Sequence, residues 1–398
     1  MRRMAACVLL LLLAAVWIPQ AAAAIPAPEN LTALGDRGSI ALQWSGGSGD
    51  FTGYNIYRGT DGVLFKKIGG VKKTATSYED KDVKDGELYF YYVAAAKDKD
   101  ESGRSNTVHT MPGIRLAAAN PGTLELNDGR VYVADSLVAI EGNLNINNQS
   151  KLYVIDGGIL DLLEGKNIVV DAGLFSAESF DPAHRAKLTA HASGGGPLGD
   201  GAGFGIYFQA DAEDYNPKNG TGCVIRNAVL ENFCQSDAIK IDACRVGIFN
   251  SRLSSTRTTG GSYIKVTGAG GIRMEHCVVN RIVFSVVTDL RSSQTLVEHN
   301  VFTGGYYAVS FFNATGPILN EGQVRENSFD CTGRSGTLYL YRCQGTGILP
   351  LGNNYWSGGQ GTPPRPMVKS MESTIVPDLD TPSPGPLSAP PAGIGPDW

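Results

Sequence analysis

The sequence predicts an all-β chain in two parts, a small antiparallel sandwich followed by a solenoid of stacked coils. Three observations carry this. The composition is rich in Gly, Asn, Ser and Val, with 50 Gly and 20 Pro in 398 residues, and the pattern holds no long helical periodicity. Short alternating strands separated by turn residues fill the first hundred positions. Further on, one apolar-x-x-(Asn/Ser/Cys)-x-apolar pattern recurs at spacings in the twenties. With 42% hydrophobic and 9% aromatic residues, each part can bury its own core, which excludes a disordered or collagenous chain. The 34 Lys plus Arg against 39 Asp plus Glu leave a net charge of −5 with no block of like sign, so a nucleic-acid partner is not expected.

Residues 1–24 read as a signal peptide. Met1-Arg2-Arg3-Met4 supplies a positive start, Ala5 to Trp17 a short apolar run, and Ala21 to Ala24 a small-residue cleavage site. The run is too short for a good membrane span, and no later stretch approaches the roughly 20 apolar residues that a transmembrane helix needs. The protein is therefore expected to be secreted or held at the cell surface, with the periplasm as the alternative. The remaining cysteines, Cys223, Cys234, Cys244, Cys277, Cys331 and Cys343, suit either three disulfides or buried free thiols. They include no Cys-x-x-Cys, and the five His include no His-Glu-x-x-His, so zinc-ribbon, redox-dithiol and zinc-protease chemistry are not expected.

The sandwich is expected over 25–112. Ile40-Ala-Leu42-Gln-Trp44 and Tyr54-Asn-Ile56-Tyr57 read as successive strands, and Tyr89-Phe-Tyr91-Tyr-Val93-Ala-Ala95 places alternate residues on one face after the turn pair Asp85-Gly86. With an early Pro, Trp44, the Gly53-Tyr54 strand opening and Ser102-Gly103-Arg104-Ser105, the stretch resembles a fibronectin type III domain. The resemblance implies a spacer module with Tyr89 as its corner tyrosine. Arg58-Gly59-Thr60-Asp61 is not the cell-binding Arg-Gly-Asp tripeptide.

The solenoid is expected over 113–376, with a Pro-rich tail over 377–398. Its repeat places Asn227, Ser251, Cys277, Asn300, Asn327 and Asn354 at equivalent positions 23 to 27 residues apart. If each period is one turn, these residues stack about 4.8 Å apart. Asn227, Asn300, Asn327 and Asn354 then form a ladder of amides that satisfy one another, with Ser251 and Cys277 as small substitutes. Leu144-Asn-Ile146, Leu152-Tyr-Val154 and Ile168-Val-Val170 supply earlier coils, a longer loop is expected within Gly201 to Asn219, and Val368 to Ile375 is expected to cap the stack as helix or strand. Val131-Tyr-Val, the strand Gly205-Ile206-Tyr207-Phe208 and the terminal Gly352-Asn353-Asn354-Tyr355-Trp356 make the region resemble the right-handed parallel β-helix proteins of bacterial exteriors, which share the pectate lyase fold. Members of that group include lyases, hydrolases, epimerases and adhesins, so the resemblance implies a fold and leaves the activity open.

The carbohydrate enzymes of this fold need an Asp cluster holding calcium with an Arg or Lys base, or clustered carboxylates. Neither cluster is evident. Ser236-Asp237-Ala238-Ile239 resembles the paired Asp of polygalacturonases with Ala238 in place of the second Asp, and Asp181-Pro-Ala-His184-Arg185 resembles a broken Asp-Pro-His-Asp epimerase motif or a plain turn.

Two stacked rows remain as candidate sites. In the first, Glu275-His276 lies over Glu298-His299 and then Arg325-Glu326, close enough to couple titrations or bind a metal, or else a solvated bend of alternating charge. The second comes from the strands Ile239-Lys240-Ile241, Ile264-Lys265-Val266, Phe284-Ser285-Val286, Val309-Ser310-Phe311 and Leu338-Tyr339-Leu340. With the apolar pairs inward, Lys240, Lys265, Ser285, Ser310 and Tyr339 form an outward column flanked by Asp242, Phe312 and Tyr341. This is a platform for an acidic glycan, or an ordinary sheet face under a loop.

The function expected is an exported, non-catalytic polysaccharide-binding or cell-surface scaffold or adhesion protein, whose partner is a polysaccharide or a cell-surface component. The alternative is a polysaccharide lyase or glycoside hydrolase acting on an acidic glycan, with Lys240 or Lys265 as base and Glu275, His276, Glu298 or His299 assisting. No metal and no cofactor is assigned, apart from calcium if the protein is a lyase.

Overall fold

The computed structural model describes residues 25–200, 202–233, 236–258, 261–287, 295–305, 307, 309–313, 319, 322–330, 338–344, 348–357, 361, 366, 368–374 and 376–379. The expected leader 1–24, nearly all of the expected tail, Cys234 and Cys331 lie outside them. The described residues are all-β and form two compact units.

In the N-terminal unit, Glu29–Asp36, Ser39–Ser45 and Ser77–Asp80 form one sheet. Gly53–Gly59 lies antiparallel between Lys66–Lys72 and Tyr89–Lys97 in the other, where Asp100–Glu101 and Val108–Thr110 also pair with Tyr89–Lys97. Period-two alternation buries Ile40, Leu42 and Trp44 from one sheet against Tyr54, Ile56, Tyr91, Val93 and Ala95 from the other. Trp44 meets Tyr54 edge to face at 5.4 Å. The buried hydroxyl of Tyr91 donates to Asp80 Oδ2 at 2.9 Å, and Arg58 donates to the same oxygen at 2.9 Å. Burial and the adjacent carboxylate hold the Tyr91 phenol well above the usual tyrosine range. Tyr91 thus joins the two sheets through Asp80, and the ring of Tyr89 packs under the Arg58 guanidinium.

The C-terminal unit is a parallel β-helix. Each coil contributes one strand to each of three sheets, and nearly every strand pairs in parallel with its counterparts in the neighbouring coils. Sheet I has nine strands, from Ile114–Arg115 to Val324–Arg325; sheet II has ten, from Ala119–Asn120 to Tyr355–Ser357; sheet III has ten, from Leu124–Leu126 to Val368–Met371. Inward residues stack in rows of like kind. Ile239, Ile264, Phe284, Val309 and Leu338 form one such row in sheet III, and Phe302, Phe329 and Trp356 form another in sheet II. The C-terminal cap is a strand and not a helix: Val368–Met371 adds the tenth strand to sheet III, and Val376–Asp378 pairs with Ile348–Pro350. The expected loop within Gly201 to Asn219 is interrupted by the strand Gly205–Phe208, so the larger excursion runs from Gln209 to Cys223.

The amide ladder lies at the bend between sheets I and II, one residue out of the expected frame at its start. Strand register sets Asn227 opposite Asn250, because Arg226 pairs with Phe249. Ala228 therefore shares a row with Ser251, Cys277, Asn300, Asn327 and Asn354, and the inner ladder has three Asn, not four. Asn327 Oδ1 accepts from Asn300 N and Nδ2 at 3.1 and 3.0 Å, and Asn354 Oδ1 accepts from Asn327 N and Nδ2, both at 3.1 Å. Each Nδ2 also donates to bend carbonyls, those of Val297 and Arg325 in the case of Asn327. Cys277 carries the row onward, its Sγ 3.3 Å from the Glu275 carbonyl oxygen.

The thiols of Cys223, Cys244, Cys277 and Cys343 are free and buried. Burial pushes the Cys277 thiol up to about 12. Buried and held as the thiol, Cys277 is expected to resist alkylation before denaturation and to react completely after it.

Candidate functional site

Sheet III aligns the outward column as its repeat requires: Lys240 pairs with Lys265, Lys265 with Ser285, Ser285 with Ser310, and Ser310 with Tyr339. Outward does not mean exposed along its whole length. Lys240 and Lys265 are partly accessible, whereas Ser285 and Ser310 are covered and Tyr339 keeps 8% of its surface. Tyr307 stacks on Tyr339 at 4.4 Å, and Phe312 meets Tyr339 edge-on at 5.5 Å and Tyr341 at 6.1 Å. Tyr339 is thus the base of an aromatic cluster and not its landing face.

The cations of the column are not free either. Lys265 Nζ lies 3.5 Å from Asp237 Oδ2, and Lys240 Nζ lies 3.9 Å from Asp242 Oδ2, whose other oxygen accepts from Thr267 Oγ1 at 3.1 Å. Two ammonium and two carboxylate groups interdigitate across two rungs, so this end of the platform is charge-balanced and not cationic. Asp237 reaches this position through an irregularity in register between Asp237 and Ile239. Burial and the charge of Asp237 raise the phenol of Tyr207, the next outward residue of the column.

Between the charged and aromatic ends lies a pocket of about 280 Å³ lined by Ser236, Asp237, Tyr263, Lys265, Ser285, Val287, Phe312 and Asn313. The Tyr263 and Phe312 rings stand edge to face at 5.9 Å. Tyr263 escaped the sequence reading although it has the outward parity of Lys265. A second pocket, of about 380 Å³, lies over sheet I beside Tyr215, Arg245 and Arg273. Its guanidinium groups are held by Asp214 and Glu275.

The other expected row lies elsewhere on the coil. Glu275 pairs with Glu298, and Glu298 with Arg325, on the outer face of sheet I, while His276, His299 and Glu326 follow at the bend to sheet II. Lys240 and Lys265 belong to sheet III, so Glu275, His276, Glu298 and His299 do not share a site with them. The two sets cannot act on one substrate atom as base and assistant. The His276 and His299 rings stack at 5.0 Å and 8°. His299 Nε2 lies 2.9 Å from Glu326 Oε2, and Glu298 Oε2 accepts from Arg325 Nε at 2.8 Å. Asp181 and His184, the residues of the broken epimerase-like motif, close a turn: Asp181 Oδ1 accepts from the Ala183 amide at 2.8 Å and Oδ2 meets His184 Nδ1 at 2.7 Å. Among the described residues no helix is long and apolar enough to cross a membrane.

The chain matches no family model. It is 37% identical over 92 residues to an amylopullulanase of Thermoanaerobacterium thermosulfurigenes and 39% identical over 80 residues to one of Thermoanaerobacterium saccharolyticum. These matches take 23% and 20% of this chain but span only 5% and 6% of the relatives. Among solved structures, a Fn3-like protein from Clostridium thermocellum matches at 27% identity over 22% of this chain and 92% of its own, with a TM-score of 0.20. A β-1,2-glucanase from Parabacteroides distasonis matches at 26% identity over 24% of this chain and 14% of its own, with a TM-score of 0.22.

Proposed function

We propose that the outward face of sheet III binds a neutral polysaccharide without cleaving it. The observation that carries this reading is the pocket in which the Tyr263 and Phe312 rings stand beside the Asp237–Lys265 pair. Sugars present an apolar C–H face to an aromatic ring and hydroxyls at their rim, and a carboxylate with an ammonium group can accept from and donate to those hydroxyls. The charge balance of Asp237, Asp242, Lys240 and Lys265 favours a neutral polymer over the acidic one expected from the lysines alone. The short likeness to amylopullulanases supports a carbohydrate setting. In this proposal the protein is exported, the solenoid has the pectate-lyase-like form of the parallel β-helix, and the sandwich is a spacer.

Retardation in native gels cast with soluble neutral polymers (starch, pullulan, β-glucan) and acidic ones (polygalacturonate, alginate) tests the reading. Wild type should be retarded by at least one neutral polymer, and Tyr263→Ala should lose about tenfold in affinity, the loss of one ring contact of about 1.4 kcal/mol. Equal retardation of wild type and variant, or retardation by the acidic polymers alone, would refute it. Release of reducing ends or unsaturated uronides would assign the protein to the enzymes, with Lys240 and Lys265 as the first residues to substitute.

A further inference from the structure

From the bend between sheets I and II we infer that Glu298, His299 and Glu326 form a binding site for a divalent cation of the zinc class, which clips consecutive coils together. One His nitrogen and one oxygen from each Glu lie within 4.8 Å of one another, a spread that small side-chain rotations close around a single ion. His276, stacked on His299 at 5.0 Å, offers a second imidazole one coil back.

Two features distinguish this cluster from a chance meeting of surface charges. The carboxylates are oriented from outside: Arg325 holds Glu298 through Oε2, with Nε and Nη2 both at 2.8 Å, and Asn353 Nδ2 donates to Glu326 Oε1 at 3.2 Å. Glu298 Oε1 thus remains for an ion, and Glu326 Oε2, now 2.9 Å from His299 Nε2, would share the ion with that imidazole, the arrangement in which outer partners fix the ligands of a metal site. The second feature is the choice of residue along the bend row. Every member takes the left-handed conformation, with φ of 52° at Asn227, 46° at Asn250, 55° at His276, 56° at His299, 54° at Glu326 and 56° at Asn353. Asn and His are both enriched in this conformation and Glu is not, so Glu326 is the member the backbone does not account for, and the row uses Asn on both sides. At three consecutive rungs it carries His, His and Glu instead, and those side chains share the ability to ligate metal.

The donor set selects the cation. Imidazole with carboxylate suits zinc and its transition-metal neighbours, whereas calcium takes six to eight oxygens and has too few here. Glu298 and Glu326 against Arg325 leave one net negative charge for the ion to neutralise. Glu298, His299 and Glu326 keep 12%, 27% and 33% of their side-chain surface, enough for an ion to enter from solvent.

The untagged chain, freed of metal with a chelator, should be titrated with Zn²⁺ against a chromophoric competitor, and with Co²⁺ while its visible absorption is followed. We expect one Zn²⁺ per chain at micromolar Kd, a tetrahedral-type Co²⁺ band, and a zinc-dependent rise in Tm that millimolar Ca²⁺ does not reproduce. His299→Asn places in the row the residue already found at Asn250 and Asn353, so its circular dichroism should match wild type while zinc affinity falls 100-fold or more. Glu326→Gln should cost at least tenfold. Wild type that fails to compete for zinc at about 100 µM, or a folded His299→Asn that binds zinc as wild type does, would overturn the inference. Equal protection by Ca²⁺ would overturn the assignment to nitrogen-preferring cations.

Discussion

Asn327→Ala is expected to destabilise the solenoid by about 4 kcal/mol, because one buried amide serves donors and acceptors on two adjacent coils. Its Oδ1 accepts both Asn300 N and Asn300 Nδ2, and its Nδ2 donates to Val297, Arg325 and Asn354, all at or below 3.1 Å. Asn327, Asn300 and Asn354 are fully buried, so the groups orphaned by the substitution lie away from bulk water. Each orphaned buried group costs about 1 to 3 kcal/mol. Asn227→Ala, which the bare repeat pattern ranks as its equal, should cost only about 1 to 2 kcal/mol. Asn227 lies in the outer row, where it donates to Ser179 O and accepts from Asn250, and Ala would also have to adopt its φ of 52°. Urea unfolding followed by circular dichroism measures both, and equal losses would contradict the frame assigned to the ladder.

Phe329→Ala should cost about 4 kcal/mol by a different route. Phe329 is fully buried in the middle of a stack, 4.9 Å from Phe302 and 5.1 Å from Trp356. Removing it opens a cavity with rigid sheet on both sides and breaks two ring contacts at once. Trp356→Phe provides the contrast. Trp356 Nε1 is buried with no hydrogen-bond partner, so the substitution removes an unsatisfied donor along with some volume, and a loss of about 1 kcal/mol is expected. The same urea series reads both, and a Trp356→Phe loss as large as that of Phe329→Ala would show that volume alone governs this stack.

The inner face of each coil was legible because it obeys a strict rule. The alternation that turns Ile239, Ile264, Phe284, Val309 and Leu338 inward is visible in the residues themselves, and the register follows from it. The bends were harder to read. Asn227 and Asn300 are the same residue type in different rows, since Asn suits both an amide ladder and a left-handed turn, and only hydrogen-bonded register separates the two roles. The outer face was legible as to direction but not as to neighbours. Tyr307 covers Tyr339 from outside the strands, and Asp237 meets Lys265 across a register irregularity that the period-two pattern does not carry. For the same reason the lysines read as a cationic platform, when their partners make it neutral.

Among the described residues of the solenoid, the strands of each coil pair only with strands of the coils before and after it. Tension drawn along the stacking direction from one end would therefore load the bonds of a single coil at a time, while force applied across the sheets would load many rungs together. The solenoid is built to resist shear and to yield by peeling. Each coil that peels from the C-terminal half releases 23 to 27 residues of slack, about 80 Å of extended chain, so an overloaded molecule lengthens in discrete steps while the coils behind the break keep their fold.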